Sequence, residues 1–136
     1  MKRSPLKRTS FRKGKPRVRG AIRCTFNGRS FPSQLERDRY AQLLILERAG
    51  ELSELKCQPQ THLTRARVGY KPDFSYMEKG KLIYEETKGF STAIWQMKKK
   101  LWRFYGPSEL RILKRDPRGR IHTTEIIHPK GCEPDK

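Results

Sequence analysis

The sequence predicts an α/β domain in which a mixed central β-sheet is flanked by helices, preceded by a basic flexible arm. Three observations carry this. Two stretches have helical apolar spacing with good caps, several shorter ones read as strands, and they follow one another as helix, strands, helix, strands, an order that calls for helices layered on a sheet. A chain of 136 residues suits one domain with a single modest core. The predicted limits are an arm over residues 1–23, a domain over 24–128 and a polar tail over 129–136.

Each element has its own reason. Residues 1–23 mix Lys, Arg, Gly, Pro and Ser with few apolar positions, too little to offset ordering entropy by burial. Asn27-Gly28 is a two-residue turn signal, so a short hairpin over residues 24–31 is expected. Ser33 reads as an N-cap, Leu35, Tyr40, Leu43, Leu44 and Leu46 form an apolar face, and Gly50 is a stop, which together predict a helix over about 33–49. Residues 52–56 and 61–64 read as short strands broken by Gln58-Pro59-Gln60. Ser91 or Thr92 can cap a second helix running to about residue 105. Its predicted apolar face is Ile94, Met97, Leu101 and Phe104, and Trp95 and Trp102 are read as core rather than base-stacking platforms. Leu110 and Ile112, then Ile121, Thr123 and Ile127, predict two more strands around the turn Asp116-Pro117-Arg118-Gly119.

Charge narrows the function classes. The formal net charge is +18 and the pI near 10.3, which makes phosphate the expected partner. Eleven basic residues precede the first acidic one, Glu36, so the arm, including Arg12, Lys13, Arg17 and Arg19, is expected to contact nucleic acid through counterion release. A solubilising tail is the plainer alternative. No apolar run approaches the ~20 residues needed to span a bilayer, and no apolar segment follows the basic start, so an intracellular protein without a membrane partner is expected. Three cysteines, Cys24, Cys57 and Cys132, show no C-x-x-C spacing and read as free thiols. His62, His122 and His128 lack ligand or nucleophile–base spacing and are assigned no role.

The chemistry concentrates in residues 70–89, YKPDFSYMEKGKLIYEETKG. A turn centred on Lys79-Gly80 places Met77 opposite Leu82, Ser75 opposite Tyr84 and Asp73 opposite Glu86. Opposed residues have Cβ atoms ~5 Å apart. Two carboxylates at that spacing repel by roughly 3 kcal/mol at an effective dielectric near 20, a cost that calls for a cation. Strand alternation puts Lys88 on the face of Glu86 and Glu85 on the other, where it is expected to be a solvated or structural charge. A hard divalent ion, Mg²⁺ or Mn²⁺, suits an all-oxygen site of few protein ligands.

Pro72-Asp73 followed thirteen residues later by Glu86-Thr87-Lys88 resembles the PD-(D/E)XK nuclease superfamily. Within it, Pro72-Asp73-Phe74, Glu86-Thr87-Lys88-Gly89, a following helix with Lys-Lys, and Glu109-Leu110-Arg111-Ile112 are most similar to phage endonuclease I and related Holliday-junction-resolvase-like endonucleases. Residues 31–36 resemble the start of that family's first helix, where a glutamate completes the site. The likeness runs over about residues 30–113. It implies a restriction-endonuclease-like core, a homodimer, branched DNA as substrate and, for a phage-encoded chain, action in the bacterial host cytoplasm.

On this reading Asp73, Glu86 and the backbone carbonyl of Thr87 would hold the metal, and Lys88 would stabilise negative charge developing on phosphate. Glu36 has two readings: it closes a capping box with Ser33, or it is the third acid that orients the attacking water. Gln58 is either a substrate-orienting or a buried structural glutamine. Lys98, Lys99, Lys100 and Arg103 would grip backbone phosphates. The expected function is a Mg²⁺-dependent endonuclease acting on branched DNA. The alternatives are a nicking or restriction-like nuclease on linear duplex or single-stranded DNA, and a non-catalytic basic nucleic-acid-binding protein.

Overall fold

The computed structural model describes residues 24–88 and 91–130. The predicted arm, with Arg12, Lys13, Arg17 and Arg19, and Cys132 in the tail lie outside the described residues. Chain order is β1 (Cys24–Phe26), β2 (Arg29–Phe31), α1 (Gln34–Arg48), β3 (Ser53–Cys57), β4 (Thr61–Leu63), β5 (Val68–Tyr70), β6 (Phe74–Glu78), β7 (Lys81–Thr87), α2 (Ala93–Tyr105), β8 (Glu109–Arg115) and β9 (Ile121–Ile127). Five strands form a mixed sheet in the order β3-β6-β7-β8-β9, in which β7 and β8 run parallel and the other neighbours antiparallel. A parallel pair needs a crossover, and α2 supplies it.

Local chemistry sets the boundaries. Asn27-Gly28 and Lys79-Gly80 all have positive φ, the two-residue turn whose twist matches a hairpin, so β1–β2 and β6–β7 close as the sequence predicts. The Ser33 hydroxyl accepts from the Glu36 backbone N–H at 3.2 Å, and the Thr92 hydroxyl accepts from that of Trp95 at 3.1 Å. These bonds satisfy donors left over at each helix start. At the end of α2 the Gly106 backbone lies against Trp102, where a Cβ would stand 2.6 Å from both the indole nitrogen and the Trp102 carbonyl oxygen. Only glycine fits that approach.

Strand alternation divides the core into two layers. On the α1 face, Phe74, Tyr76 and Ile83 pack with Tyr40, Leu43, Phe31 and Leu52. On the α2 face, Tyr84, Leu110 and Ile112 pack with Trp95, Trp102, Tyr70, Leu63 and Ile127. β7 alternates between the layers: Ile83 and Glu85 face α1, while Tyr84 and Glu86 face α2.

One expectation needs correction. The packed face of α2 carries Trp95 and Trp102, whereas Ile94, Met97 and Phe104 are exposed and Leu101 is half-buried. The indoles win because each buries more apolar area, and the Trp102 N–H is satisfied by the Ser108 carbonyl at 2.9 Å. Val68–Tyr70 is a strand of its own, paired with β4 in a separate two-stranded sheet. Of the two readings of Glu85 the structural one holds: its buried carboxylate takes two bonds of 2.7 Å from the Arg39 guanidinium and one from the Tyr76 hydroxyl. At the end of the described residues Pro129 is buried and the Lys130 ammonium lies 4.2 Å from the centre of the Phe104 ring.

Candidate functional site

The β6–β7 register pairs Phe74 with Glu85, and one further step sets Asp73 opposite Glu86, as the turn at Lys79-Gly80 predicts. Glu86 is buried on the α2 face. The Lys88 ammonium lies 3.1 Å from one of its carboxylate oxygens, and the Tyr70 hydroxyl donates to the other at 2.8 Å. Asp73 accepts at Oδ2 from both the Thr87 backbone N–H and the Thr87 hydroxyl, each at 2.7 Å. The two acids are therefore held from opposite strands by a lysine, a tyrosine and a threonine.

A third acid joins them from α1. Glu36 is buried in the first turn, where the Gln58 side chain is close enough to lower its proton affinity. Half of the predicted capping box is present, through the Ser33 hydroxyl, while the carboxylate itself is drawn toward the site. Gln58 is exposed, not a buried structural residue. Its positive φ and the bond from its N–H to the Asp73 carbonyl at 2.8 Å turn the end of β3 toward the acids.

Burial and mutual repulsion give these groups unusual proton affinities. Glu36 rises from the ordinary 4.5 to about 7, first through burial and then through the charge of Glu86, with Gln58 and Lys88 opposing. Burial pushes Asp73 well above its ordinary value, reinforced by the charges of Glu86 and Glu36. Burial also raises Glu86, against the pull of Lys88 and Tyr70. Three carboxyl groups thus share one field with one close cation, Lys88. Among the described residues no group of three or more His, Cys, Asp or Glu side chains is arranged to hold a metal ion by itself. A hard cation here would draw on Asp73 and Glu86 and complete its shell with main-chain oxygen and water. Oxygen-only chemistry and a surplus of negative charge fit Mg²⁺ or Mn²⁺, which bind few protein ligands and retain water.

Of the three acids, Glu86 borders a cleft of about 490 Å³ lined also by Tyr70, Lys71, Lys88, Trp95 and Lys98, among others. Three lysines against one acid favour an anionic occupant. The Lys88 ammonium lies 4.6 Å from the centre of the Trp95 ring, and the Lys98 ammonium 5.4 Å from that of Tyr70, so aromatic faces steady both cations. Of the other predicted phosphate contacts, Lys99 and Arg103 form ion pairs with Glu125, and Lys100 is exposed away from the cleft. Thr87 enters as a donor to Asp73, a role its predicted carbonyl ligation did not include. Tyr70, Lys71 and Trp95 are the residues that sequence reasoning missed as parts of the site. Their signal is topological, because β5 and α2 are brought beside β7 only by tertiary packing.

Among the described residues no helix is long and apolar enough to cross a membrane. No curated protein matches the chain. A family profile matches residues 17–114, well over half of its length. The chain belongs to the family described as Protein of unknown function (DUF1064).

Proposed function

We propose that this protein is a metal-dependent DNA endonuclease, hydrolysing phosphodiester bonds at the cleft beside Glu86. The observation that carries the reading is the cluster of Glu36, Asp73 and Glu86 with Lys88, in which burial raises all three acids and like charge adds to the rise at Glu36 and Asp73. A purely architectural DNA-binding protein has no use for buried repelling acids beside a basic cleft. A Mg²⁺ or Mn²⁺ ion, held by Asp73, Glu86 and the Thr87 carbonyl, would polarise a phosphoryl oxygen and lower the pKa of water.

The side chains supply the rest. Lys71 and Lys98 attract the backbone phosphates, and Lys88, fixed between Glu86 and Trp95, stabilises charge that develops on the scissile phosphate. Glu36, with a proton affinity near neutrality, suits a general base that takes a proton from the attacking water. Water attacks phosphorus and the 3′ oxygen leaves, which yields 5′-phosphate and 3′-hydroxyl ends. Tyr70 and Thr87 act through Glu86 and Asp73, holding their carboxylates in place.

Branched DNA such as a four-way junction is the proposed substrate, and a homodimer would present one site to each cleaved strand. The restriction-like core and the action inside a cell belong to the same proposal. Incubating the protein with Mg²⁺ and either a four-way junction or a linear duplex of equal length tests it. Cutting confined to the junction supports branch selectivity, equal cutting of both assigns a general endonuclease, and no cutting of either with Mg²⁺ or Mn²⁺ removes the enzyme reading.

A further inference from the structure

Beside the main cleft lies a second cavity of about 240 Å³, and the two share Lys88 and Trp95. The parallel β7–β8 register pairs Thr87 with Leu113, and the Lys88 N–H donates to the Leu113 carbonyl at 3.0 Å. One step further along that register, Lys88 stands beside Lys114, on strands ~4.8 Å apart. Both line the second cavity. Lys114 has no ion-pair partner among the described residues, whereas Lys99 in the same cavity is neutralised by Glu125.

Lys88 is already neutralised by Glu86, so Lys114 brings an uncompensated positive charge to the cavity, and an anion would neutralise it. The other polar groups there already have partners and leave Lys114 as the cation to be met. Gln96 and Ser91 are hydrogen-bonded to one another at the rim, and Glu125, the only acid lining the cavity, is already paired with Lys99 and Arg103.

We infer that this cavity is a second phosphate subsite, centred on Lys114, which takes a backbone phosphate of the same polynucleotide strand that occupies the main cleft. The two cavities then form one groove crossing the site at Lys88, with Lys71 and Lys98 on one side and Lys114 on the other. The strand path rests on the nuclease reading, but the anion subsite itself does not require catalysis.

The test measures binding of the full chain to a fluorescent linear DNA duplex across a salt series with EDTA present, so that cleavage plays no part. Lys114→Gln removes the subsite cation from an exposed position. Lys79→Asn is the control: it removes the same charge at the far end of the β6–β7 hairpin and keeps a residue suited to the left-handed turn. Loss of one phosphate contact lowers the slope of log affinity against log salt by about 0.9 for duplex DNA. That drop is expected for Lys114→Gln and not for Lys79→Asn. Equal slopes for Lys114→Gln and wild type, or the same drop in both variants, overturn the subsite. Inorganic phosphate separates the possible sources of the anion: saturable, Lys114-dependent binding of millimolar phosphate overturns the assignment to a polynucleotide backbone. If the slope falls only in Lys114→Gln but no DNA is ever cut, the subsite stands and the nuclease reading fails.

Discussion

Replacing Glu36 with glutamine should stabilise the protein at alkaline pH, because a buried acid whose proton affinity is raised costs free energy once it ionises. Its pKa moves from 4.5 to about 7 on folding, so its favourable contribution is complete below 4.5 and disappears as the pH rises through 7. At 1.36 kcal/mol per unit, the full loss is about 3 kcal/mol, most of it between pH 5 and pH 8. Gln keeps the size of the side chain and an oxygen for the Gln58 amide, and cannot ionise. Urea unfolding at pH 5 and pH 8 is the assay. Glu36→Gln should gain about 2 to 3 kcal/mol on wild type between the two conditions. Saturating Mg²⁺ should recover much of the difference for wild type at pH 8, since a ligand at 100 times its dissociation constant stabilises by about 2.7 kcal/mol. A variant no more favoured at pH 8 than at pH 5 would refute the claim that the acids share one field.

Three further outcomes follow from the same geometry. Tyr70→Phe removes the hydroxyl that donates to Glu86, so it should cost about 1 kcal/mol of stability. Because that bond lowers the Glu86 pKa, the acidic limb of a pH–rate profile should move to higher pH; an unmoved limb would remove Tyr70 as a positioning residue. Glu85→Ala leaves Arg39 without its buried partner and should cost about 3 to 5 kcal/mol in denaturant unfolding, against a much smaller cost if the pair is merely superficial. Deleting residues 1–20 should weaken DNA binding and flatten its salt dependence, and an unchanged slope would return the arm to a solubilising role.

The sequence was most legible where chemistry is local. Lys79-Gly80 dictates a tight turn, alternation follows from it, and the juxtaposition of Asp73, Glu86 and Lys88 needs nothing from elsewhere in the chain. Ser33 and Thr92 were legible as caps for the same reason. Long-range packing was not. The stripe Ile94, Met97, Leu101 and Phe104 satisfies helical spacing, yet Trp95 and Trp102 on a different face meet Tyr70 and Tyr84, and their larger area decides which way α2 turns. Whether Glu85 is solvated or structural stays open in the sequence because Arg39, its partner, lies 46 residues away. Tyr70 joined the site only through β4–β5 pairing, a contact that no short-range pattern announces.

Comparing wild type with Asp73→Asn on a four-way DNA junction, with Mg²⁺ and with EDTA, tests the central claim most directly. Asn retains the shape of Asp73 and can still accept from Thr87, so the fold and junction binding should persist. The account predicts Mg²⁺-dependent cutting by wild type that ends in 5′-phosphate and is reduced at least about 100-fold in the variant, a loss of roughly 3 kcal/mol in transition-state stabilisation. Undiminished cutting by Asp73→Asn, or cutting by wild type that persists in EDTA, would contradict it.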